Sequence, residues 1–173
     1  MLDTLTANRA DAVRAAVKSV ALRQLEQGGP AAVAINAIAR ELGVSGPALY
    51  RYFKNRDALL TALVLDAYND LADALHTTSL EAFADSYRAW ALQQPHRYRL
   101  LFAAPLPGYD AHAPELVAAA QRSMAKLTTL VDEERAVTLW ARAHGHVSLE
   151  IEGNFASMGL DPEKLFGSVI QVG

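Results

Sequence analysis

The chain of 173 residues is 51 % apolar and 20 % charged, the balance of a folded chain of one or two domains, and this excludes an intrinsically disordered protein. It has no cysteine, so disulfides, thiolate-bound zinc, iron–sulfur clusters and thiol catalysis are excluded, and no run approaches the roughly 18 apolar residues of a membrane span. The net charge of -3 is divided: residues 1–56 carry eight basic and four acidic side chains (+4), whereas residues 57–173 carry eight and fifteen (-7). A basic first third on an acidic remainder suits a polyanion partner, although solvated helix faces give the same division. The opening MLDTLTANRAD lacks the basic start and apolar stretch of a signal peptide, so a cytoplasmic location without membrane contact is expected.

Alanine (33 residues) and leucine (24) are the best apolar helix formers, and no period-2 alternation is present, so an all-α fold of about nine helices is predicted. A first helix at about 8–27 ends at Gly28-Gly29-Pro30, and short helices follow at about 35–42 and from Gly46-Pro47. Asn55 interrupts, and a longer amphipathic helix spans about 56–76. Further helices are predicted at about 80–93, 95–102, 113–131, 133–155 and 161–171, with one long loop at 103–112.

Residues 35–53, INAIARELGVSGPALYRYF, carry the most information. Ile38, Leu42, Val44, Leu49 and Phe53 would share one small core if two short helices crossed at a sharp turn. Gly43 can take the left-handed conformation that ends the first, Ser45 can cap the second, and Pro47 suits its first turn. That arrangement is a helix-turn-helix whose second helix offers its N-terminal residues to a major groove.

The string AIARELGVSGPALYRYFKNRDALL resembles the DNA-binding signature of the tetracycline-repressor (TetR) family of transcriptional regulators over roughly residues 9–63. The resemblance implies a helix-turn-helix head at 1–55, a ligand-binding and dimerisation domain at 56–173, a double-stranded DNA operator and a homodimer. Carried onto matching positions, Tyr50 and Tyr52 reach phosphates and Arg56 adds a charged contact, with Ser45 and Lys54 alongside; Gly46, Pro47, Tyr50 and Arg51 face bases. The tyrosines also suit packing, and Arg51 also suits a solvated side chain, as the lesser readings. Two positions depart from the pattern. Ala34 stands where the family has a capping Ser or Thr, with Asn36 as a partial substitute, and Gly46 has no side chain to read a base, which leaves DNA shape a larger share.

Residues 140–150, WARAHGHVSLE, and PHRYRLLF at 95–102 resemble the WHG type of C-terminal domain in the same family, through Trp140, His144 and Gly145. An effector that is small and largely apolar or aromatic is expected, with Phe83, Tyr87, Trp90, Phe102, Trp140 and His144 as candidate pocket residues. An ordinary core accounts for the same aromatic spacing. His144 and His146 point to different sides of a helix, so neither a metal nor another cofactor is expected, and His144 beside Gly145 suits a close helix crossing. The dimer contact is placed on the last helices, through Ala141, Gly145, Ser148, Ile151, Phe155, Leu165 and Val169. No phosphate-cradling loop, nucleophile elbow or HExxH is present, and the acidic pairs Glu133-Glu134 and Glu150-Glu152 read as helix-start and solvated-face charges, so no enzyme is expected. The combined expectation is a ligand-responsive regulator, most simply a repressor. The alternative is a helical protein–protein interaction module without DNA binding, which leaves GVSGPALYRYF unexplained.

Overall fold

A computed structural model describes residues 2–102 and 109–170, with side chains over 9–102 and 109–169. These residues form ten helices and no strand: α1 (Leu2–Ala32), α2 (Ile35–Glu41), α3 (Gly46–Tyr50), α4 (Arg56–Ala74), α5 (Leu80–Gln93), α6 (Pro95–Phe102), α7 (Pro114–Thr128), α8 (Glu133–Ile151), α9 (Asn154–Ser157) and α10 (Pro162–Ile170). Three polar residues start the longer helices. The side-chain oxygens of Asn55, Ser79 and Asp132 accept from the amides of Ala58 (2.8 Å), Ala82 (3.1 Å) and Arg135 (2.9 Å), caps worth about 1 kcal/mol each. α1 breaks where expected, since Gly28 and Gly29 leave helical geometry and Pro30 begins a last separate turn.

The apolar side chains gather in two clusters. One joins Val17, Val20 and Leu25 of α1 to Ile38, Leu49 and Phe53 of the helix-turn-helix and to Leu59, Leu60 and Leu63 of α4. The other joins Leu71 and Leu75 near the end of α4 to Tyr87, Trp90, Tyr98, Leu127, Val147 and Phe166. Each fully buried leucine contributes about 1.5–3 kcal/mol. Because both clusters include turns of α4, that helix is a rod about 28 Å long shared by head and body. α6 is also shared: Leu100 packs on the first cluster, and Leu101 and Phe102 pack on the second.

Several expectations are corrected. Val44 is 43 % exposed, outside the small core. It follows Gly43 (φ +66), and its amide donates to the Ala39 carbonyl (3.0 Å) while that of Gly43 donates to Arg40 (3.2 Å), a Schellman closure that turns the Val44 side chain outward. Ser45 stands at the start of α3 without a side-chain capping bond, so Pro47 alone marks that start. The helix expected over 133–155 is two, because Gly153 (φ +74) ends α8 and α9 begins after it. Glu150 does not lie on a solvated face. Its carboxylate accepts two bonds from Arg88 of α5 (2.8 and 2.6 Å), with the side chains only 11 % and 19 % exposed, and the guanidinium lies 5.4 Å over the Phe166 ring.

Candidate nucleic-acid interface and adjoining cavity

The helix-turn-helix is assembled by bonds that begin in the backbone. Gln24 of α1 accepts from the Ala34 amide (2.9 Å), the bond to the residue before α2 that the Glu or Gln of a capping box makes, while the first-turn amides that a Ser or Thr at 34 would cap receive no side-chain bond. Arg14 donates to the Tyr52 carbonyl (2.9 Å) and lies over the Tyr52 and Phe53 rings at 6.0 and 5.6 Å, placing a cation at the C-terminal end of α3. Neither Gln24 nor Arg14 was singled out from sequence, since a partner 10 or 38 residues away leaves no local signal.

With that frame fixed, Asn36, Ser45, Pro47, Tyr50, Arg51 and Lys54 are exposed on one end of the molecule. Tyr50 is 47 % exposed, far more than a packing role requires, whereas Tyr52 is half-buried against the head core. A Cβ placed on Gly46 would stand 3.0 Å from Asn36 Oδ1. The amide of Asn36 therefore lies beside the space that a side chain at 46 would take. Arg56 is half-buried and is engaged within the fold. Its Nε donates to the Val33 carbonyl (2.9 Å) and a terminal nitrogen donates to Pro30 (2.6 Å), so it anchors the segment between α1 and α2 on α4.

Behind the head, α4, α5, α6, α7, Trp140 of α8 and the exposed Ala111 and His112 line an open cavity of about 400 Å³, within the range of small-molecule sites. Phe83, Tyr87, Phe102 and Trp140 are among its lining residues. Trp90 and His144 lie outside its lining. The Trp90 indole is drawn into the α4–α5–α6 junction, where its N–H donates to Asp70 (2.9 Å), which also accepts from Arg97 (2.9 Å). His144 forms the layer behind the wall: its ring stacks between Trp140 (5.4 Å, 20°) and Tyr98 (5.6 Å, 28°), with Phe102 edge-on at 4.8 Å. Its Nδ1 lies 2.9 Å from the Tyr98 hydroxyl and 3.4 Å from that of Tyr87. Burial lowers the pKa of His144 and raises that of Tyr98 to about 12, so these groups are neutral partners. The outer wall is α7, whose Leu116, Ala120, Ser123 and Leu127 follow helical spacing on one face and went unnoticed in the sequence. The loop 103–112 expected beside it lies outside the described residues over 103–108.

The dimer candidates separate into two sets. Ala141, Gly145 and Leu165 are exposed, Ser148 is half-buried, and a Cβ on Gly145 would meet nothing within 4 Å, so this glycine serves no helix crossing inside the protomer. Ile151 and Val169 pack against the second cluster, and Phe155 is buried with its ring 4.6 Å from His146, which places these three in the protomer's own core. Apolar Val137 (49 %) and Leu149 (44 %) continue the exposed row on α8.

A trihelical head that presents the start of α3, joined through the shared helices α4 and α6 to a helical body, defines a helix-turn-helix DNA-binding protein. The family model for bacterial regulatory proteins of the tetR family matches residues 19–63, and that for the tetracyclin repressor-like C-terminal domain matches residues 80–172. The HTH-type transcriptional regulator Rv1816 of Mycobacterium tuberculosis is 32 % identical, with 89 % of this chain and 87 % of the relative covered. The HTH-type regulator Rv0681 of the same organism is 29 % identical over 81 % of this chain and 71 % of its own. The crystal structure of SCO4313 superposes with a TM-score of 0.88 at 36 % identity, covering 94 % of this chain and 95 % of that one. The chain belongs to the tetR family and is a DNA-binding transcriptional regulator, in a family that regulates transcription rather than one of enzymes. Among the described residues no helix is long and apolar enough to cross a membrane.

Proposed function

We propose that the protein is a cytoplasmic repressor that binds a pseudo-palindromic operator as a homodimer and is released by a small, largely apolar or aromatic effector. The observation that carries this reading is the sharing of α4: Leu59, Leu60 and Leu63 belong to the head, and Tyr68, Leu71 and Leu75 to the cavity wall. A ligand that fills the cavity bears on the same rod that supports α3. Release requires that the effector bind the head spacing incompatible with DNA more tightly than the compatible one, with a coupling of about 1–3 kcal/mol. The division between head and body falls at Asn55, the cap of that rod.

On DNA, Tyr50, Tyr52 and Lys54 hold phosphates, Pro47 and Arg51 face bases, and Asn36, Ser45 and Gly46 form the edge between them. Two-fold pairing uses the exposed row Val137, Ala141, Gly145 and Leu149 of α8, with Ser148 and Leu165 beside it; the missing side chain of Gly145 allows two copies of α8 to approach closely. Trp140 lines the cavity and Trp90 does not, so effector binding should change the fluorescence of Trp140. The test follows release of a labelled operator duplex and Trp140 emission together as effector is added to wild type and to Trp90→Phe. Release accompanied by an emission change in both supports the reading, and release with Trp140 emission unchanged contradicts it.

A further inference from the structure

The first turn of α3 has little with which to read a base. In a helix-turn-helix the N-terminal residues of the second helix contact base edges, and here they are Gly46, Pro47 and Ala48, whose side chains neither donate nor accept a hydrogen bond. Pro47 can meet a thymine methyl, but hydrogen-bonded reading at this depth falls to a neighbouring residue. Ser45, just before the turn, has a single rotatable hydroxyl that suits any base, and Arg51 stands more than a turn further along.

The polar group beside that turn belongs to α2. Ile35 and Ile38 are buried in the head, which turns Asn36 outward, and its side chain is exposed. Its Oδ1 stands 3.0 Å from the point that a Cβ on Gly46 would take, and among the described residues no other element brings an atom within 4 Å of that point. The capping task that the sequence offers Asn36 is not taken up. No side chain caps the first turn of α2, and Gln24 already accepts from the Ala34 amide. Among the described residues no hydrogen bond engages the Asn36 side chain, so an asparagine, a poorer helix former than alanine, gives the fold no bond in return.

We propose that Asn36 is a specificity-determining residue: its amide, beside the bare backbone of Gly46, forms a bidentate pair with one adenine in each half-site. α2 then supplies the base contact that the first turn of α3 does not. The planar amide holds a donor and an acceptor side by side, the pair that matches N7 and the N6 amino group of adenine in the major groove. The assignment rests on the reading that the start of α3 enters that groove of a two-fold operator.

The test selects duplexes from a random library with the full-length protein, then repeats the selection with Asn36→Ala and Asn36→Asp. Wild type should favour adenine at one position of each half-site, and Asn36→Ala should lower that preference by about fivefold to 150-fold, with the other positions unchanged. Asn36→Asp, which only accepts, should move the preference at that position toward cytosine. Replacement of the adenine by 7-deazaadenine, which lacks N7, completes a cycle. The analogue should weaken wild type about twofold to tenfold, the range of one net hydrogen bond, and leave Asn36→Ala unaffected. Tm should be the same in all three proteins, because neither substitution removes a bond of the fold, and this separates reading from folding. A uniform loss over all duplexes in Asn36→Ala assigns a phosphate contact and overturns the proposal, as does equal sensitivity of wild type and Asn36→Ala to 7-deazaadenine. No enriched sequence with wild type overturns the docking reading and the proposal with it. Enrichment whose base preferences survive intact in Asn36→Ala overturns the proposal alone.

Discussion

Arg56, which the sequence offers to phosphate, is also engaged by the fold. Two of its donors hold the carbonyls of Pro30 and Val33, so Arg56→Ala should destabilise the head by about 2 kcal/mol, measured by urea denaturation, and any loss of DNA affinity should follow from that loosening. Tyr50 and Arg51 give the contrasting pattern. Tyr50→Ala should weaken binding to all duplex variants alike, whereas Arg51→Ala should alter preference at one position by roughly 1–3 kcal/mol if it pairs with guanine, as read by competition among single-base variants. Gly46→Ala brings a methyl to 3.0 Å from Asn36 Oδ1. The exposed amide can swing aside, so Tm should move little, and a change in operator preference without a change in Tm would identify Asn36 as part of the reading surface.

Among the helices, those with boundaries written locally were legible and those bounded by tertiary partners were not. α5 and α6 run over the predicted spans because Ser79 caps one and Pro95 begins the other. The α8–α9 break is not legible because the apolar spacing of Leu149, Ile151 and Phe155 continues across Gly153, and only its φ of +74° reveals it. Gly153→Ala should cost about 1–2 kcal/mol for that left-handed conformation, measured by thermal unfolding. The cavity was half legible. Its aromatic wall could be read from spacing on α5 and α8, but the displacement of Trp90 depends on Asp70, and the burial of Glu150 depends on Arg88, each supplied by another helix. Because the Arg88–Glu150 pair ties α5 to α8 in a largely buried setting, Arg88→Met should cost about 3 kcal/mol or more, since a carboxylate is left behind without its partner.

At the scale of the whole molecule, the buried His146 and the half-buried His144 set a pH dependence. Burial lowers the pKa of both His144 and His146 below the ordinary 6.5, so the folded state favours their neutral forms. Their contribution is fully present above about pH 6.5 and is lost as the pH falls through their depressed values. Tm should therefore change little above about pH 7 and decline below about pH 6, less steeply in His146→Gln, for which thermal scans across that range are the check. Assembly gives a second expectation at this scale. Leu149→Glu places a charge on the exposed row of α8, and sedimentation should show dissociation of the dimer together with loss of operator binding.

The central claim, that the exposed start of α3 reads DNA in a two-fold assembly, is tested most directly by selecting duplexes from a random library with the full-length protein and measuring the salt dependence of the winners. The account predicts enrichment of a pseudo-palindrome, affinity that falls linearly in log–log form with salt as counterions are released, and loss of enrichment in Tyr50→Ala with Arg51→Ala. Absence of enrichment, or the same enriched sequences and salt slope in that double variant, would contradict it.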